Sequence, residues 1–244
     1  MAGFRLRYIT LESDQHMKRI VFTSALSLTL GLASLSAQIG KIPDGFKPIF
    51  NGKNLAGWHI SRSNHHGTTL DARVQNGELS IGQNPIGEGG ILLTDKTYKD
   101  FELYLEVKPD WGCDGGIFLR SNEDGNAYQI TLDYMPKNSM GAFITEGIPR
   151  MGGKGQTRAP DWEKIWKRDE WNSFRIRMVG EAPKVEIWMN DVKIVDYQDD
   201  KSHALGGAYA GMIALQQHYT NPTTPRSVPH GVHRFRNIAI KELN

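Results

Sequence analysis

The stretch KVEIWMNDVKIVDY, residues 184–197, reads as two strands joined at Asn190-Asp191. An Asn-Asp pair tolerates the positive φ that a tight hairpin turn demands, and the apolar residues around it recur with period two. The same period continues outward along the chain. FELYLEV (101–107) sets Phe101, Leu103, Leu105 and Val107 against Glu102, Tyr104 and Glu106. SFRIRMV (173–179) sets Phe174, Ile176 and Met178 against Arg175 and Arg177. NGELSI (76–81) supplies a turn at Asn76-Gly77, and GMIALQQH (211–218) and HRFRNIAIKEL (233–243) add two late strands. Only residues 161–168 have helical spacing, over a turn or two at most. Many short strands with 26 glycines and 11 prolines predict an all-β fold, an antiparallel β-sandwich. No composition break marks a linker and no internal repeat is evident, so residues 38–244 read as one domain. The glycine- and proline-rich segments 82–90, 136–160 and 219–232 are longer than hairpins require, as walls or lids of a site would be.

The chain has 244 residues and a formal net charge of +2, with no basic run to neutralise phosphates, which argues against a nucleic-acid partner. Its single cysteine, Cys113, excludes an internal disulfide and reads as a small buried hydrophobe. The N-terminus has the pattern of an export signal: MKRIVFTSALSLTLGLASLSA (17–37) places Lys18 and Arg19 before an apolar run that ends in small residues. Met17 then reads as the start of translation, with residues 1–16 upstream of it and cleavage after Ala37 leaving Gln38 first. The apolar core is short of the ~20 residues of a membrane span. An exported protein, periplasmic or secreted, is expected.

Six segments, in this order, resemble the 3-keto-disaccharide hydrolase family: GFKPIFNGKNLAGW (45–58), LLTDKTYKDFEL (92–103), GGIFLR (115–120), EWNSFRIRMVG (170–180), VEIWMNDVKIVDY (185–197) and HRFRNIAIKEL (233–243). The resemblance runs from about Gly45 to Leu243. It implies a concanavalin A-like jelly roll and cleavage of glycosides whose sugar has been oxidised to a ketone at C3.

An ordinary glycosidase flanks the scissile bond with two carboxylates. Laminarinase-type glucanases of this fold alternate Glu, Asp and Glu along one strand. In ELYLE (102–106) Tyr104 takes the middle place, so Glu102 and Glu106 read as residues of a solvated face. A 3-keto sugar needs less, because the ketone acidifies the C2 proton and a base can remove it while the C1 substituent leaves. The base needs a suitable pKa, and the developing enolate oxygen needs a donor or cation.

Histidine suits the base near neutral pH, and His218 is the first candidate. Ile213 and Leu215 take one face of its strand and leave Ala214, Gln216 and His218 on the other. The alternative is a satisfied strand-end histidine. A Leu-Gln-x-His segment before the last strands also recurs in the resembled family. Arginine suits the oxyanion role, and in GGIFLR Arg120 falls with Gly116 and Phe118 opposite Ile117 and Leu119. The alternative for Arg120 is a structural salt bridge to Asp133 or Glu123. Its strand leads through SNEDGN into AYQITLDY, where Gln129, Thr131 and Asp133 share a face. Where many relatives carry a glutamate at the place of Gln129, glutamine can only hydrogen-bond, which leaves Asp133 as the carboxylate. Catalytic candidates are therefore His218, Asp133 and Arg120.

Gln129, Gln216, Trp111, Glu146 and Arg150 are substrate-binding candidates, with Lys154 in the same glycine-rich loop as Glu146 and Arg150. Trp162 and Trp166 read as further sugar platforms, whereas Trp58 and Trp171 read as plugs of the sandwich edges. His230 and His233 leave a divalent metal ion open as a cofactor. The expected partner is a carbohydrate. The competing class is a lectin-like carbohydrate-binding module, which would need platforms and hydroxyl partners but no base.

Overall fold

The computed structural model describes residues 41–135, 140–149, 157, 159, 161–204, 209–220 and 228–243, and residues 39–244 form one compact unit. The signal-like segment 17–37 lies outside the described residues. In chain order the strands are β1 (Lys47–Pro48), β2 (Trp58–Ile60), β3 (Leu70–Gln75), β4 (Glu78–Gln83), β5 (Gly90–Tyr98), β6 (Phe101–Pro109) and β7 (Gly115–Ser121). They continue with β8 (Ala127–Thr131), β9 (Phe143–Glu146), β10 (Asn172–Val179), β11 (Lys184–Met189), β12 (Val192–Gln198), β13 (Gly211–Gln217) and β14 (His233–Glu242). One short helix, α1 (Trp162–Ile165), precedes β10. No helix among the described residues is long and apolar enough to cross a membrane.

These strands form two antiparallel sheets, β12-β11-β10-β6-β14-β4-β3 with β1 on β14, and β2-β5-β13-β7-β8-β9. This is the expected jelly-roll sandwich. The hairpin turns follow from local chemistry, with Asn190 and Asp191 at φ 49° and 65° and Asn76 and Gly77 at 53° and 82°. The alternation read in the sequence is the inner face: Phe101, Leu103, Leu105, Val107, Phe174 and Ile176 from the larger sheet meet Ile117, Leu119, Ile130, Ile213 and Leu215 from the smaller. Each such buried side chain contributes about 1.5–3 kcal/mol. Cys113 is buried, as expected.

The tryptophans divide differently from the sequence reading. Trp162 and Trp166 are buried in the core beside Tyr134 and Phe174, so they are not sugar platforms. Trp58 plugs an edge, donating from Nε1 to the Ile49 carbonyl at 2.7 Å. Trp171 lies between the cations of Lys108 and Arg236. Glu106 is buried rather than solvated, because Arg236 Nε approaches its carboxylate at 2.5 Å and Tyr104 donates to it.

The smaller sheet has a second apolar layer on its outer face, where Ile91, Leu93, Phe118, Ala127 and Ala214 are all buried. A solvated sheet face would be polar. The 61–67 turn covers this one, and the candidate site lies along it.

Candidate functional site

The outer face of β7, β8 and β13 can be followed row by row. Gln216 pairs with Gly116 and Gly116 with Thr131, while Ala214 pairs with Phe118 and Phe118 with Gln129. Gln129 and Gln216 are buried, and Gln129 Nε2 donates to Gln216 Oε1 at 3.1 Å. A Cβ at residue 116 would stand 2.4 Å from Gln129 Nε2, so glycine is what lets this amide cross the strand. Both glutamines lie on the face expected for them, joined to each other.

The ladder continues one row past the regular strands. The backbone N–H of His218 donates to the Asp114 carbonyl at 3.0 Å, Leu132 donates to Gly115 at 2.9 Å and Tyr134 to Cys113 at 2.9 Å. In backbone register Asp114 therefore stands between His218 on one neighbouring strand and Asp133 on the other. Asp114 is buried, and His218 and Asp133 are half-buried. Sequence reading found His218 and Asp133 but passed over Asp114. The acid before the Gly115-Gly116 pair was the available signal. His218 Nδ1 accepts the backbone N–H of Tyr219 at 2.9 Å, so the neutral imidazole carries its proton on Nε2.

Arg120 is not part of this row. Between Phe118 and Ser121 the strand carries a β-bulge: Leu119 and Arg120 together oppose Ile213, and Arg120 has φ 52°. The extra residue breaks the alternation and turns Arg120 off the floor shared by Gly116 and Phe118. Its guanidinium, 5% exposed, donates to the carbonyls of Lys99 and Gly180 at 2.8 Å each and pairs with Asp100 at 3.1 Å, not with Asp133 or Glu123. Those bonds tie the end of one sheet to the β10–β11 turn of the other.

Next to the glutamines lies a pair that sequence reading did not single out, His65 and His66. Ser61 donates its hydroxyl to the Glu123 carbonyl at 2.8 Å, His65 N–H donates to Asp124 O at 3.2 Å, and Asn64 Oδ1 accepts the N–H of His66 at 2.8 Å. These bonds seat the turn against the β7–β8 loop. The His66 ring packs edge-on to Phe118 at 5.1 Å. Gly125 must be glycine here, because a Cβ would stand 2.4 Å from the ring. Gln216 Nε2 donates to His66 Nδ1 at 3.0 Å, and His66 Nε2 donates to the Gly125 carbonyl at 3.1 Å. Burial holds the His66 imidazole below its ordinary pKa, so it is neutral at pH 7.

Glu146, at the end of β9, approaches His65 Nε2 at 3.5 Å. His65, His66 and Glu146 each offer a ligand atom within 4.8 Å of the others. Both histidines line a cavity of about 580 Å³ that Thr68, Glu88, Tyr219 and Thr220 complete. His233 is elsewhere, fully buried and bonded through Nδ1 to Gln217 Oε1 at 2.8 Å, and burial pushes its pKa down to about 4. It belongs to the core and cannot share a metal with exposed His230. Trp111 is 46% exposed and packs edge-on to Tyr134 at 4.8 Å, beside the Asp133 end of the row. Arg150 and Lys154 lie outside the described residues.

Comparison with known proteins places this geometry in context. A 3-keto-disaccharide hydrolase of Bacteroides thetaiotaomicron is 32% identical over 100 residues, covering 37% of this chain and 34% of that protein. The matched stretch is thus about a third of that relative's length. A Parabacteroides distasonis protein, proposed to be a glycosyl hydrolase, has a crystal structure that superposes with a TM-score of 0.57 at 20% identity, over 82% of this chain and 94% of that one. The carbohydrate-binding module CBM66 of Bacillus subtilis superposes with a TM-score of 0.50 at 15% identity, over 78% and 98%. These likenesses share the fold, and the fold serves enzyme and binding module alike. The 3-keto-alpha-glucoside-1,2-lyase-like domain matches residues 45–241, and the chain belongs to that family.

Proposed function

We propose that this chain is an exported enzyme that cleaves 3-keto-glycosides, with His218, Asp114 and Asp133 as its central residues. The observation that carries the reading is their register, which brings an imidazole and two carboxylates into one row beside a floor of buried amides. A lectin needs hydroxyl partners but no such row.

In this reading Asp133, the more exposed carboxylate, removes the C2 proton of the 3-keto sugar. The C2–H electron pair forms the C1–C2 double bond, and the C1–O bond breaks with its pair going to the leaving oxygen. The Nε2–H of His218 protonates that oxygen. Buried Asp114 stands between them, its backbone carbonyl accepting the His218 N–H at 3.0 Å. The products are an unsaturated 3-keto sugar and a free alcohol, and water added across the new double bond gives the hydrolysis product. Lyase and hydrolase, the activities that name the family and the curated relative, are then two end points of one proton abstraction. Export rests on the charge-then-apolar pattern of residues 17–37 and is checked by the mass of the secreted chain, expected to start at Gln38.

The test uses a 3-keto-glucoside carrying deuterium at C2. Alcohol release with loss of deuterium to solvent is expected, at a rate slowed by the label. Release with full retention of deuterium would overturn the elimination. Sugar binding without release would establish the binding module instead.

A further inference from the structure

We infer that His65, His66 and Glu146 form a binding site for one divalent transition-metal ion of the Zn²⁺ class. A tetrahedral ion with bonds of about 2.0–2.1 Å holds its ligand atoms about 3.3–3.4 Å apart. His65 Nε2 and Glu146 Oε1 are 3.5 Å apart, and all three ligand atoms fall within 4.8 Å of one another. That spacing is longer than the roughly 2.7–2.9 Å of a charge-assisted hydrogen bond, so a simple histidine–carboxylate pair accounts for it poorly. It lies close to the edge of a tetrahedral coordination shell.

The surroundings are also those of a built site. Successive residues of a strand would face opposite ways, yet the Asn64 turn brings the two rings, tilted by 39°, to 4.0 Å between centroids. A metal-bound histidine is oriented by a hydrogen bond on its other ring nitrogen. Both nitrogens of His66 already have a partner, Gln216 on Nδ1 and the Gly125 carbonyl on Nε2. An ion on Nδ1 leaves the Nε2 bond to the Gly125 carbonyl in place, whereas an ion on Nε2 leaves Nδ1 to Gln216, whose amide can accept only if Gln129, bonded to its Oε1, turns with it.

Two imidazoles and one carboxylate suit Zn²⁺, Co²⁺ or Ni²⁺ rather than Ca²⁺ or Mg²⁺, which prefer all-oxygen shells. Three protein ligands leave a fourth position for water or a ligand oxygen, as in sites that act on substrates. The 580 Å³ cavity that both histidines line is where that oxygen would enter.

The experiment titrates the intact chain, stripped with a chelator, with Co²⁺ and then competes with Zn²⁺, in the absence of any sugar. One Co²⁺ per chain with the visible spectrum of low-coordinate nitrogen and oxygen ligation is expected, displaced by Zn²⁺. Glu146→Gln and His65→Gln should each weaken binding at least about 100-fold, whereas His230→Gln should not change it. Circular dichroism of each metal-free variant confirms that it is folded. No saturable spectrum in the wild type, or one that survives both substitutions, overturns the site. Because no turnover is measured, failure of the 3-keto-glycoside reading leaves this result standing, and the reverse holds too.

Discussion

Tyr219 donates its backbone N–H to Nδ1 of His218 at 2.9 Å, and this bond decides which proton the imidazole can move. A neutral ring whose Nδ1 accepts must carry hydrogen on Nε2, so the side chain offers a donor and not a base. His218→Gln keeps a hydrogen-bond donor but cannot give up the proton, so on a 3-keto-glucoside whose phenolate leaves without protonation it should cost no more than about tenfold in kcat. Asp133→Asn removes the base and should cost about 10²–10⁴, read on the same 3-keto-glucoside. The reverse ranking would return the base to His218.

Gly116 is where the amide floor is most sensitive. In Gly116→Ala the new methyl would meet the Gln129 side chain at 2.4 Å from Nε2 and 2.9 Å from Cγ, forcing the amide off Gln216. A loss of about 1–3 kcal/mol in urea unfolding is expected. KM should rise as well. An unchanged midpoint and KM would mean that the amide pair is not a fixed part of the floor.

Arg120→Met separates a structural from a catalytic arginine. The substitution leaves the Lys99 and Gly180 carbonyls without their guanidinium donor and removes the Asp100 countercharge, although Asp100 Oδ1 still accepts the Gly180 N–H at 2.7 Å. Breaking such a buried pair typically costs about 3–5 kcal/mol, and partly exposed Asp100 places this one at the low end. At a temperature where the variant is fully folded, kcat should stay within about threefold of wild type. A stable variant with kcat lowered a hundredfold would instead place Arg120 in the reaction.

His233 makes stability depend on pH. Its pKa is pushed down to about 4 by burial from an ordinary 6.5, so between those values the unfolded chain binds the proton and the folded chain does not. The stabilisation is fully present above pH 6.5 and is lost as pH falls toward 4, by up to about 3 kcal/mol. Urea midpoints at pH 7.5, 5.5 and 4.5 should fall less steeply in His233→Gln than in wild type. Parallel pH profiles would show that His233 does not carry the effect.

Alternation of side chains is a property of the extended backbone alone, so it can be read before any strand has a partner. That is why the sandwich, the 190–191 and 76–77 turns, the buried face of FELYLEV and the shared face of Gln216 and His218 were determined by the sequence itself. Trp162 and Trp166 escaped such a reading because a four-residue helix has too little periodicity to show which ring turns inward.

Register belongs to pairs of strands, and only the tertiary structure could decide it. Arg120 follows Phe118 in the alternation, yet one unmatched residue opposite Ile213 turns it away from the floor. Asp114 joins His218 only because their strands pair in this register. His66 meets a carbonyl 59 residues away and an amide 150 residues away, and nothing local to NHHG encodes either contact. Strand identity is set by neighbours in sequence, whereas a site built across strands is set by hydrogen-bond ladders that close over long loops of chain.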